Sequence, residues 1–168
     1  MNISTHFTLD QLCVADKQRL TRLGLRTNWP GKGEQDRLTE LANTLLEPIW
    51  DKYPGIAVSS GYRSIAYNTD LKGSASSQHC KGEAADFEVP GISNAHLFAW
   101  IVLESGLKWG QLILEFPGKE PADGWVHISL PSKTNSMKIM KATVVRVGKD
   151  YETHYEILNP ATIRAKYT

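Results

Sequence analysis

The chain has little of what marks several large protein classes. Only two of its 168 residues are cysteine, Cys13 and Cys80, too few for a disulfide framework or a Cys-rich zinc module. No apolar run approaches the roughly 20 residues needed to span a bilayer, so membrane insertion is not expected. Charge of one sign is missing as well. Nineteen Lys+Arg against 18 Asp+Glu leave a formal +1, and that balance does not favour nucleic acid or an anionic membrane. Residues 1–11 carry neither the basic flank nor the apolar stretch of a secretory signal. No internal repeat, low-complexity tract or linker breaks the sequence. What is present, 41% hydrophobic and 22% charged residues, can bury a core, and the length suits a single domain, expected to act as a monomer.

Residues 1–53 read as helical. Thr8 and Gln11 have capping-box spacing ahead of an imperfect stripe of Leu9, Leu12, Cys13, Leu20 and Leu23, with Gly24 as a stop. Leu38, Leu41, Ala42, Leu45, Leu46 and Ile49 form a stronger stripe, which Pro48 should kink or end. The texture changes at Pro54. A strand is predicted at 56–58, a long irregular Ser/Gly-rich segment at 66–83, a strand at 84–89 and a helix at 94–104. Strands at 111–116 and 125–130 are joined by an eight-residue loop, and a further hairpin spans 142–158. The expectation is one α+β domain built on antiparallel hairpins: residues 1–53 helical, 54–130 the core, and 131–168 a hairpin extension.

Side-chain alternation in the strands sorts the polar residues. Ala85, Phe87 and Val89 share one face, as do Leu112, Leu114 and Phe116, and Val126, Ile128 and Leu130. The opposite face collects Asp86, Glu115 and His127, and pairing about a loop centre near residue 121 predicts Glu115 directly across from His127. His79, seven residues before Asp86 with Gly82 between for a turn, completes a loop His, strand Asp and strand His. Three N/O ligands with an open position are what catalytic Zn²⁺ requires, and structural sites mostly use thiolates instead. Cys80 is read as a packed or incidental thiol. His6, His96 and His154 are read as surface or capping residues, and Lys17, Arg19, Arg22 and Arg26 as a solvated helix face.

Ser77-Gln78-His79-Cys80-Lys81-Gly82-Glu83-Ala84-Ala85-Asp86 fits S-x-H-x-x-G-x-A-x-D at every fixed position. With Ser60-Gly61-Tyr62-Arg63-Ser64 upstream and Trp125-Val126-His127 downstream, it resembles the zinc D-Ala-D-Ala carboxypeptidase and L-Ala-D-Glu endopeptidase family. That family includes phage endolysins and shares the Hedgehog/DD-peptidase fold. The resemblance is densest over 59–127. It implies an antiparallel sheet with helices on one face and a zinc site on the other, Zn²⁺ as cofactor, and His79, Asp86 and His127 as its ligands. It further implies a site arginine in Arg63, polarising the scissile carbonyl or holding a substrate carboxylate, and a substrate-binding or loop-ordering hydroxyl in Ser77.

The implied substrates are stem peptides of bacterial peptidoglycan. The implied setting is a phage or prophage lysis enzyme, made in the cytoplasm and acting on the cell wall after release. In one respect the sequence departs from the family. Many members carry the general base as Glu in E-x-x-H, where this chain has Gly124. Glu115 is the preferred base, with Asp123 as the alternative. That departure also leaves room for a catalytically inactive zinc-bearing binding or virion structural module of the same fold.

Overall fold

The computed structural model describes residues 1–120 and 122–167. Thr8 and Gln11 do form a capping box: the Thr8 N–H donates to Gln11 Oε1 at 2.7 Å and the Gln11 N–H to Thr8 Oγ1 at 3.3 Å. The box nucleates only one turn, Gln11–Cys13. Val14 then turns extended, and Asp16 caps a separate short helix α1 (Lys17–Arg22), its Oδ1 accepting from the Arg19 N–H at 2.7 Å. A second strong cap thus divides the single helix expected from the leucine stripe. Gly24 stops α1 at φ +67°.

The stronger stripe forms α2 (Lys32–Leu41), a widened π turn at Ala42–Leu46 and α3 (Glu47–Lys52). Pro48 does not end this helix. In a regular helix its ring would press on the carbonyl four residues back; the turn before it opens instead, with the Glu47 N–H bonding to the Ala42 carbonyl. A π turn inserts one residue and relieves that contact.

Beyond α3 come β1 (Ala57–Ser60), α4 (Ile65–Asp70), a 3₁₀ turn at Gln78–Lys81, β2 (Ala84–Glu88) and α5 (Asn94–Leu103). The segment read as irregular therefore holds two short helical pieces. β3 (Gln111–Glu115), β4 (Trp125–Ser129), β5 (Lys138–Val147), β6 (Asp150–Ile157) and α6 (Pro160–Tyr167) follow. The sheet order is β1-β2-β4-β3-β5-β6. Every neighbouring pair is antiparallel except β3 and β5, which run parallel, so the sheet is mixed and not wholly antiparallel as expected. The cause is where the chain re-enters. β4 returns to the starting end of β3, where the Gly110 N–H bonds to the Ser129 carbonyl at 2.7 Å. β5 begins at that same end, the Lys138 N–H bonding to the Gly110 carbonyl at 2.9 Å. A strand laid beside β3 from there must point the same way.

One sheet face carries Ala85, Phe87, Leu112, Leu114, Val126 and Ile128 into a core shared with Leu38, Leu41, Leu45, Leu46 and Ile49 of the long helix and with Leu97, Phe98 and Ile101 of α5. Ile139, Leu158 and Ile163 of the C-terminal segment join the same core. Arg19 and Arg22 both pair with Asp70, tying α1 to α4 instead of standing free in solvent.

The C-terminal segment therefore closes the flank of β3 as well as adding to the core. Truncation after Met137 uncovers that flank and removes four buried apolar side chains, Ile139, Ala142, Leu158 and Ile163. We expect the shortened chain to lose its cooperative thermal transition in circular dichroism. A midpoint within a few degrees of the full chain would show that 138–168 is a detachable extension.

Candidate metal centre

Three elements converge on the face of the sheet opposite the core. The 3₁₀ turn Gln78–Lys81 presents His79, β2 presents Asp86 and β4 presents His127, and the three are 4%, 4% and 6% exposed. One potential ligand atom from each lies within 4.8 Å of the others. The register makes this possible, because Asp86 pairs with His127 across β2 and β4, and Ser60 pairs with Asp86 across β1 and β2. An irregularity between Val58 and Ser60 brings Ser60 to that position, a common use of a bulge beside a site.

Asp86 is the hub. Its Oδ1 lies 2.8 Å from His127 Nδ1 and 3.3 Å from His79 Nε2, and its Oδ2 accepts from Arg63 Nη2 at 2.5 Å. Burial alone would raise this carboxyl. The charge of His79 and the hydrogen bond and charge of His127 outweigh it and hold the group far below the usual carboxylate range. His79 is oriented by the Gly61 carbonyl, 2.7 Å from its Nδ1. Engaging Nδ1 with that carbonyl turns Nε2 toward Asp86 and leaves it as the ring's candidate ligand atom, the usual way a second hydrogen bond orients a metal-binding imidazole.

This donor set fits a zinc ion. Two imidazoles and one carboxylate are typical catalytic ligands, and two ligands bound at about 2.0–2.1 Å in a tetrahedron lie roughly 3.3 Å apart, as His79 Nε2 and Asp86 Oδ1 do. His127 Nε2 is buried with no hydrogen-bond partner among the described residues, so a single hydrogen bond to Asp86 does not satisfy this ring.

Arg63 reaches Asp86 from the turn after β1, with its Nε donating to Ser60 Oγ at 2.7 Å. In this structure it buttresses a candidate ligand, and its side chain also borders the cleft. Its backbone is fastened by Asn28, from the connection between α1 and α2. The Asn28 side chain, 3% exposed, donates to the Tyr62 carbonyl at 2.6 Å and accepts from the Ser64 N–H at 2.8 Å. Turn residues with side chains bonded to distant backbone leave no mark in local sequence.

The cleft above the cluster has a volume of about 530 Å³ and is bordered by Ser77, Glu115, Trp125, Met140 and Tyr155 among others. Ser77 sits at the start of the 3₁₀ turn without a side-chain cap bond. Glu115 does not face His127 as expected. It pairs with Trp125, and His127 pairs with Ile113, because the β3–β4 loop is centred one residue earlier than its sequence suggests. A slip of two positions along the strand keeps Glu115 on the metal-facing side. Asp123 is turned into its own loop, its Oδ2 accepting from the Glu120 N–H at 3.0 Å. Cys80 lies outside the cluster, and burial raises its thiol. His6 and His96 are engaged elsewhere, with Glu47 and Tyr53.

Gly124 explains the missing E-x-x-H glutamate. It has φ +75°, and a Cβ there would stand 1.9 Å from the Glu115 carbonyl oxygen. No L side chain fits without opening the β3–β4 hairpin.

Glu115 itself is pushed up to about 6, first by burial and then by the charge of Asp86, against the lowering effects of His127 and Arg63. The indole N–H of Trp125 also lowers it from beyond normal hydrogen-bond geometry, since Trp125 Nε1 has no bonded partner.

The family model described as Peptidase M15 matches residues 5–129, about three quarters of the chain. The chain belongs to the Peptidase M15 family. No curated protein matches it. The matched span covers His79, Asp86, Glu115 and His127, while β5, β6 and α6 of this M15 peptidase chain lie beyond it.

A carboxyl raised in the folded state stabilises the protein only while protonated. Stability is lost as pH climbs from the ordinary value of 4.5 through about 6, a cost of up to about 2 kcal/mol above that window. In chelator-treated protein, Glu115→Gln should raise the unfolding free energy by up to about that amount at pH 7.5 and leave it unchanged at pH 4. Equal or lower stability of the variant at pH 7.5, in urea titrations, would contradict a desolvated Glu115.

Proposed function

We propose that this protein is a zinc-dependent peptidase that hydrolyses peptide bonds in the stem peptides of bacterial peptidoglycan, of the D-Ala-D-Ala carboxypeptidase or L-Ala-D-Glu endopeptidase type. The observation that carries the reading is the convergence of His79, Asp86 and His127 beneath a cleft that also holds a desolvated glutamate. His79, Asp86 and His127 would hold the zinc ion, which when bound supplies Lewis acidity that acidifies water and polarises a carbonyl.

The chain's own residues do the rest. Glu115 accepts the proton of the attacking water and returns it to the leaving nitrogen, and a carboxyl raised toward neutrality suits both halves of that shuttle. Arg63 fixes Asp86 through Oδ2, so Oδ1 stays aimed at the two imidazoles. The guanidinium at the cleft border also offers a positive group to the carboxylates of a stem peptide.

A phage or prophage lysis role follows the same reading, with synthesis in the cytoplasm and action on the wall after release. Among the described residues no helix is long and apolar enough to cross a membrane. The rival reading, an inactive module of the same fold, drew its support from Gly124, and a general base on β3 removes the need for glutamate there.

Purified muropeptides incubated with the enzyme and weighed by mass spectrometry test the proposal. We expect a mass loss corresponding to cleavage at one stem-peptide bond. Glu115→Gln should keep its zinc and lose at least about a hundredfold in turnover, while His127→Ala should lose the metal. Uncleaved muropeptides with zinc-loaded protein would favour the inactive module. Full turnover in Glu115→Gln would remove Glu115 from the mechanism.

A further inference from the structure

The hairpin of β5 and β6 lies outside the family match, yet it supplies part of the cleft wall through Met140 and Tyr155. The registers explain how. Trp125 pairs with Glu115, Glu115 with Ala142, and Ala142 with Tyr155, so these four residues form one row across four strands and share one sheet face. Ala142, fully buried between the larger two, is the smallest side chain in the row. Neighbouring strands are about 4.8 Å apart, so Tyr155 starts roughly 10 Å from the Glu115 backbone, a gap that its ring can largely cross over the Ala142 methyl.

Every residue of β6 is exposed, but Tyr155 is the one that borders the cleft. Burial and the carboxylates of Glu115 and Asp86 raise its phenol, which keeps the hydroxyl protonated and able to donate.

We propose that Tyr155 is a substrate-contacting residue of the cleft, its hydroxyl donating a hydrogen bond to a carbonyl or carboxylate oxygen of the stem peptide held beside Glu115. The inference rests on the peptidase reading above and adds the C-terminal hairpin to the substrate site. A hydroxyl-to-anion hydrogen bond of this kind corresponds to about a tenfold to hundredfold effect.

Two measurements test it. In the active enzyme, Tyr155→Phe should lower kcat/KM on a stem pentapeptide by at least tenfold with unchanged zinc content, whereas Tyr151→Phe, on the same strand but away from the cleft, should match wild type. In a Glu115→Gln background, calorimetry should show the same pentapeptide binding at least tenfold more weakly when Tyr155→Phe is added. Wild-type kcat/KM and affinity in the Tyr155→Phe proteins would overturn the inference while leaving the peptidase reading intact. Failure of wild type to cleave or bind the peptide would overturn both.

Discussion

A buried carboxylate without compensation costs several kcal/mol, and Asp86 is a carboxylate only 4% exposed. Its partners come from three separate parts of the chain: His79 on a 3₁₀ turn, His127 on β4 and Arg63 after β1. None is a sequence neighbour, so pairing the charge also fixes how β1, β2 and β4 lie together. Ser60, Asp86 and His127 occupy one row of the sheet, and Ser60 in turn holds the guanidinium that grips Asp86. The constraint that keeps the charge tolerable is therefore the constraint that gathers a donor set able to hold a metal ion.

The same row logic governs the glutamate. Gly124 lets the loop return so closely that its backbone lies against the Glu115 carbonyl. A glutamate at 124 would need the space that the hairpin occupies, and opening the hairpin would displace Glu115. The hairpin that holds Glu115 on β3 thus leaves no space for a glutamate three residues before His127. Burial and the neighbouring Asp86 charge raise the affinity of Glu115 for a proton, as the proposed role requires.

The period-two pattern made the face of each strand residue readable: Asp86, Glu115 and His127 fall on the side away from the core, as alternation demands. Which residue stands opposite which was not readable. The turn between β3 and β4 includes Phe116 at φ +50° and Gly124 at φ +75°, and register follows such turn geometry more than strand composition. Because the offset from the expected register is an even number of residues, Glu115 keeps the face that alternation gives it. The parallel joining of β5 to β3 is a non-local pairing with no local signature, and with it went any forecast of Met140 and Tyr155 in the cleft. Asn28 was hidden for the same reason, since its partners lie more than thirty residues away. The π turn before Pro48 was only half legible: proline announced a disturbance, and the apolar stripe on both sides decided that the helix would continue.

X-ray absorption at the zinc edge of the metal-loaded protein tests the central claim most directly. The account predicts a first shell of nitrogen and oxygen only, at about 2.0–2.1 Å, with the outer-shell scattering of two imidazoles and a total of four or five ligands. A sulfur shell near about 2.3 Å, which would bring in Cys80, or fewer than two imidazoles, would contradict it.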